Sequence, residues 1–113
     1  VLDSQFAWIA TKDGLDRVKK IRSGRDTLIV KHITPPQDRV TVYDLEKDGD
    51  LLWAATNYGV YVYNKKNQKG GYYYGADGPG NAPAYSVSVS GNEVWFATNY
   101  GVEVYNKTMK KWL

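Results

Sequence analysis

Residues 53–64 read WAATNYGVYVYN and residues 95–106 read WFATNYGVEVYN, ten identities in twelve positions. A weaker copy, WIATKDGLDRV, occupies residues 8–18. Trp8, Trp53 and Trp95 lie 45 and then 42 residues apart, and the same intervals separate Thr11, Thr56 and Thr98, and Gly14, Gly59 and Gly101. A fixed interval of this size marks a repeat architecture, in which each unit buries its apolar faces against its neighbours.

Each unit resolves into short strands. In the middle copy Thr41 to Glu46 reads as a strand and Lys47 to Asp50 as a hairpin turn, because Asp48-Gly49 supplies the positive φ of a tight turn. Leu51 to Thr56 is a second strand, Asn57-Tyr58-Gly59 a second turn, and Val60 to Asn64 a third strand. A polar loop follows, and Tyr72-Tyr73-Tyr74 opens a fourth strand. No window carries a 3.6-residue apolar period, which excludes helical repeats. Four strands in 42–45 residues are the size of a β-propeller blade. The expected fold is therefore all-β, a β-propeller fragment of four-stranded antiparallel blades.

Burial follows from the same pattern. Leu51-Leu52-Trp53-Ala54-Ala55 does not alternate apolar with polar, so both faces of that strand are expected to be covered. Trp8, Trp53 and Trp95 are expected to be equivalent and largely buried. The third strand places Val60 and Val62 on one face and Tyr61 and Tyr63 on the other. Asp16 and Glu103 replace Tyr61 in the other copies, so that position is expected to be wet in two units. Arg17 departs from Val62 and Val104.

The units divide the chain into residues 1–33, a partial blade, 34–75, a complete blade, and 76–113, a blade with a short outer strand. That is about two and two-thirds blades, whereas propellers close with roughly four to eight. An open arc leaves bare edges and two apolar faces. The remaining blades are expected from a longer parent protein, from another chain or from self-association; three such arcs would make eight blades. Val1 in place of an initiator Met favours the longer parent.

Composition bounds the function. The chain has 113 residues, 42% hydrophobic and 24% charged, with ten tyrosines and four tryptophans. It has no cysteine, which excludes disulfides and thiolate metal sites. No run approaches the roughly 18 apolar residues of a membrane-spanning helix. A net charge of +3 is too small to imply a nucleic-acid partner.

The run VYDLEKDGDLLWAATNYGV at 42–60, with AYSVSVSGNEVWFATNYGV at 84–102, resembles the two-component regulator propeller repeat. That repeat has an inner strand, a D-x-x-G-x-L-W turn and strand, and a G-T-x-x-G-[LV] turn. Residues 74–82, YGADGPGNA, are similar to its D-G-L-P-x-N linker. Ala10, Ala55 and Ala97 stand where the family prefers Gly. The resemblance implies a propeller fold and a non-catalytic sensing or binding segment of a regulatory or surface protein in the periplasm or outside the cell. Some propellers of similar repeat are lyases or hydrolases. The alternative is thus part of an enzyme whose catalytic residues lie in blades absent from this chain.

Most catalytic and metal readings fail on spacing. His32, the only histidine, falls on an outer strand, away from the inner-strand serines a Ser-His-Asp triad would need. Asp44, Glu46, Asp48 and Asp50 imitate the start of a calcium loop, but its twelfth position is Ala55 where a bidentate Glu is required. Gly78-Pro79-Gly80 lacks the Lys and helix of a phosphate loop. No cofactor, metal ligand or catalytic residue is expected. Two features remain. The turns Lys12-Asp13, Asn57-Tyr58 and Asn99-Tyr100 share a face with the linkers between units, and Tyr and Asn suit a small molecule, glycan or peptide. Ten of the fifteen basic residues fall in three equivalent loops: Lys19, Lys20, Arg22 and Arg25; Lys65, Lys66 and Lys69; Lys107, Lys110 and Lys111. They form a basic rim on the opposite face, expected to be solvated.

Overall fold

A computed structural model describes residues 2–3, 6–20, 27–36, 39–72 and 83–113. Among these residues the protein is all-β, with three antiparallel four-stranded sheets and no helix. The first sheet holds β1 (Leu2–Asp3), β2 (Phe6–Thr11), β3 (Gly14–Lys20) and β4 (Thr27–Ile33). The second holds β5 (Val42–Asp48), β6 (Leu51–Thr56), β7 (Gly59–Asn64) and β8 (Lys69–Tyr72). The third holds β9 (Ala84–Ser90), β10 (Glu93–Thr98), β11 (Gly101–Asn106) and β12 (Lys111–Trp112). Strands pair in sequence order within each sheet. The first hairpin of the middle unit is tighter than expected: β5 runs on to Asp48, and the turn is Gly49-Asp50 with Gly49 at φ 57°. The fourth strand of the middle unit starts at Lys69, inside the expected polar loop, and not at Tyr72, because the turn after Asn64 is short enough for Lys69 to pair with Asn64 itself. The linker at 74–82, Tyr73, Arg22 and Arg25 lie outside the described residues.

The register gives every sheet the same two faces. On one, which we term the tryptophan face, Trp8 pairs with Arg17, Trp53 with Val62 and Trp95 with Val104; beside them stand Ala10 and Leu15, Ala55 and Val60, Ala97 and Val102. The opposite, tyrosine face carries Ala7, Ile9, Asp16 and Val18 in the first sheet. It carries Leu52, Ala54, Tyr61 and Tyr63 in the second, and Val94, Phe96, Glu103 and Tyr105 in the third.

The core is two copies of one contact, a tryptophan face against the next tyrosine face. Trp8 and Leu15 cluster with Leu52, Ala54, Tyr61 and Tyr63. Trp53, Ala55 and Val60 cluster with Val94, Phe96 and Tyr105. The ring geometry repeats: Trp8 meets Tyr63 at 5.8 Å between centroids, and Trp53 meets the equivalent Tyr105 at 5.5 Å, both tilted. Aromatic pairs favour such tilted arrangements. Trp112 extends the second cluster, edge-on to Tyr105.

Polar groups fasten the second contact at the inner strand. Asp48 accepts hydrogen bonds from Trp53 Nε1 at 3.3 Å and from Lys107 Nζ at 3.0 Å. Asp44 accepts one from the Val87 backbone N–H at 3.0 Å, so it satisfies a donor on the free edge of β9. Two carboxylates that imitated a calcium loop are thus engaged in joining sheets.

The expected burial of all three tryptophans requires correction. Trp8 and Trp53 are 3% and 1% exposed, but Trp95 is 43% exposed. The reason is positional: no described sheet follows the third, so its tryptophan face has no cover. Tyr61 also differs from its equivalents. It is buried at 4%, whereas Asp16 and Glu103 are half-buried. Arg17, the other departure, sets its guanidinium over the Phe6 ring at 4.7 Å.

The burial of Tyr61, with the charge of Tyr63 as a second cause, raises its phenol above the ordinary value of 10.0. Tyr61 in the unfolded chain loses its proton first, so this contribution to stability is intact below pH 10.0 and falls as pH rises past it. Urea midpoints are expected to drop between pH 9.5 and pH 11 (about the range set by an ordinary Tyr), and less steeply in Tyr61→Phe. Equal slopes in the two proteins would show that Tyr61 ionisation is not coupled to folding.

Candidate functional site

The three turns between second and third strands have one internal architecture. Thr56 Oγ1 donates to the Gly59 carbonyl at 2.8 Å and accepts from the Tyr58 N–H at 3.0 Å. Thr11 does the same with Gly14 and Asp13, and Thr98 with Gly101 and Tyr100. The T-x-x-G pattern is therefore a self-contained device in which a hydroxyl closes the turn. It uses only backbone groups of Asp13, Tyr58 and Tyr100.

These turns stand at the end of the sheets where the inner strands begin, since Val42 pairs with Thr56 and Ala84 with Thr98. The first turn reaches the second unit directly: the Lys12 carbonyl accepts a hydrogen bond from Thr41 Oγ1 at 3.1 Å. The six residues expected at a site behave differently from one another. Lys12 and Asp13 are exposed. Asn57 is occupied within the chain, with Oδ1 accepting from the Thr41 N–H at 2.8 Å and Nδ2 donating to the Arg39 carbonyl at 2.9 Å. Tyr58 is half-buried against the first core cluster. Asn99 is exposed, and Tyr100 stands 84% exposed.

Asn99 differs from Asn57 for a chemical reason. Its counterpart of Thr41 is Pro83, which has no N–H to donate. Asn99 Oδ1 instead accepts a hydrogen bond from the Tyr85 hydroxyl at 2.8 Å. Tyr85 and Tyr43 sit where the ladders of β9 and β5 shift register. Such irregularities turn a side chain out of the regular alternation. The two rings meet at 5.3 Å and stay 45% and 47% exposed. Sequence reading missed Tyr43 and Tyr85. Their spacing, 42 residues, was visible, but they look like ordinary inner-strand positions and a bulge has no local sequence mark here.

The other features carry less chemistry. His32 Nδ1 contacts the Asp16 carboxylate on the exposed tyrosine face of the first sheet. The second sheet separates this pair from the serines of β9. A recess of about 340 Å³ opens beside Gly70 and Gly71, but the oxygens of Asn64 and Asn67 at its rim are taken by the N–H groups of Lys66, Asn67 and Lys69. Of the lysines expected to form a basic rim of loops, Lys107 is paired with Asp48, and Lys19, Lys20, Lys69 and Lys111 lie in strands. Among the described residues no group of three or more acidic, His or Cys side chains is assembled to hold a metal, and no helix is long and apolar enough to cross a membrane. Neither a protein-family model nor a curated protein sequence matches the chain.

Proposed function

We propose that the chain is an arc of a β-propeller, similar to the two-component regulator repeat, and serves as a non-catalytic binding or sensing module. The repeated face-to-face packing of successive sheets supports the arc reading. The single observation that carries the binding role is the pair of half-exposed tyrosines from neighbouring inner strands, with Tyr85 held by Asn99. Tyr100 and Asn99 extend this surface, and Lys12 and Asp13 border it along the neighbouring turn. The ligand class is a ring-bearing small molecule or glycan, whose flat face lies on tyrosine and whose hydroxyls reach the Asn99 amide and the Tyr85 hydroxyl.

Stacking of this kind contributes on the order of 1 kcal/mol per ring. Replacing both Tyr43 and Tyr85 by Ala should therefore weaken binding by roughly tenfold to thirtyfold. The measurement is a glycan-array screen followed by calorimetric titration of the best oligosaccharide with wild type and double variant. Unchanged affinity in the variant, with its fold intact, would remove the ligand from this surface.

A further inference from the structure

The third sheet ends in a face that is used twice elsewhere in the same molecule. Trp95 is 43% and Val102 64% exposed, with Ala97 exposed beside them. Their counterparts Trp53, Val60 and Ala55 are at most 1% exposed under the tyrosine face of the third sheet. No described sheet covers the opposite side of the first sheet, where Ile9 is 44% exposed and Ala7 and Val18 are half-buried. One molecule thus carries both halves of its own internal contact, unpartnered, at opposite ends.

We infer that these faces join copies of this chain head to tail, the Trp95 face of one copy packing on the Ile9 face of the next. The inference rests on the arc reading, but it needs no ligand. The internal contacts define what a tryptophan face accepts. On the third sheet Val94, Phe96 and Tyr105 cluster with Trp53, and Glu103 shares their face. The bare face of the first sheet repeats that order with Ala7, Ile9, Asp16 and Val18: two apolar residues, an acid, an apolar residue. An acid at the third place is already tolerated in the second contact. Charge agrees as well. Where β5 has Asp44, Glu46 and Asp48 beside Trp53, β9 has Ser86, Ser88 and Ser90 beside Trp95. The inner strand of the Trp95 face therefore sets no carboxylate against Asp16; the one acid on that face, Glu93, stands at the far end of β10 in the place of Leu51. Small Ile9 and Val18 in place of Phe96 and Tyr105 leave room for the indole. Because the two surfaces differ, the contact is heterologous and propagates beyond a dimer, closing into a ring if the rotation allows.

The arrangement is testable with two variants at exposed positions, Ile9→Lys and Val102→Lys, each of which spoils one face and leaves the other. Sedimentation velocity of the 113-residue chain is expected to give species larger than a dimer as concentration rises. Each variant alone should associate at least about tenfold more weakly, since a lysine there must be desolvated against an apolar face. Mixed together they should form a 1:1 complex and nothing larger, because one intact Trp95 face and one intact Ile9 face remain between them. Circular dichroism of each variant establishes that it is folded. A wild-type chain that stays monomeric would overturn the inference and leave the ligand site untouched. A Ile9→Lys chain that still self-associates would overturn it too, since that requires two like faces to pair.

Discussion

Trp53→Ala is expected to lower the free energy of unfolding by about 3–5 kcal/mol, the cost of emptying a large aromatic site in a packed core. The indole of Trp53 is 1% exposed, meets Phe96 at 6.0 Å and Tyr105 at 5.5 Å, and donates its N–H to Asp48. Its removal leaves a cavity between two sheets and takes one partner from a carboxylate that also binds Lys107. Trp95→Ala, at the same place in the repeat, should cost no more than about 1 kcal/mol, the range of ordinary surface changes. Urea denaturation checks the pair. It should be run at high dilution, because association through the Trp95 face would add stability by mass action. Equal losses would mean that Trp95 is covered in the free chain and that the exposed face does not exist.

The second large effect separates two glycines that the repeat makes equivalent. Gly14 and Gly101 both follow the T-x-x pattern, and both have positive φ, 130° and 111°. A β-carbon at Gly14 would stand 2.1 Å from the Ile33 carbonyl oxygen, whereas at Gly101 nothing lies within 4 Å. Gly101→Ala should therefore cost only the backbone strain, about 1–2 kcal/mol. Gly14→Ala adds a clash with backbone that cannot rotate away, and a total of about 3–5 kcal/mol is expected. The difference comes from the fourth strands. Pairing of β4 continues through Ile33, opposite Leu15, while β12 pairs only with Tyr105 and Asn106 and leaves the Gly101 end of β11 open. Thermal unfolding of both variants checks the ranking. A Gly101→Ala chain as unstable as Gly14→Ala would mean that the turn conformation alone sets the penalty.

Legibility in the sequence follows the range of the interactions involved. The T-x-x-G turns were readable because Thr, Gly and the backbone between them complete their hydrogen bonds within four residues. The first three strands of the middle unit were readable for the same reason, since strand patterning and a turn residue at its end are local properties, but the fourth was not: β8 begins at Lys69, in a Lys-Gly-Gly run that reads as loop. The exposed position of His32 was also plain, from its place on an outer strand. The tyrosine pair was not. Tyr43 and Tyr85 meet only because β5 and β9 come together and each ladder slips by one residue at that point. Asn57 and Asn99 likewise look identical in sequence. One is bonded within the chain through both its amide oxygen and its nitrogen, and the other holds Tyr85, because Thr41 has an N–H and Pro83 does not.

The sequence by itself determined the repeat, the all-β strand order, the hydroxyl-closed turns and the two chemically distinct faces of each unit, since pairing register and side-chain alternation follow from near neighbours. Only the tertiary structure decided which copies of those faces are used. Trp8, Trp53 and Trp95 sit on equivalent strands in equivalent registers, yet two are buried and one is open to water. Burial is a property of what lies across an interface, about 10 Å away in another sheet, and no residue encodes the presence of its neighbour.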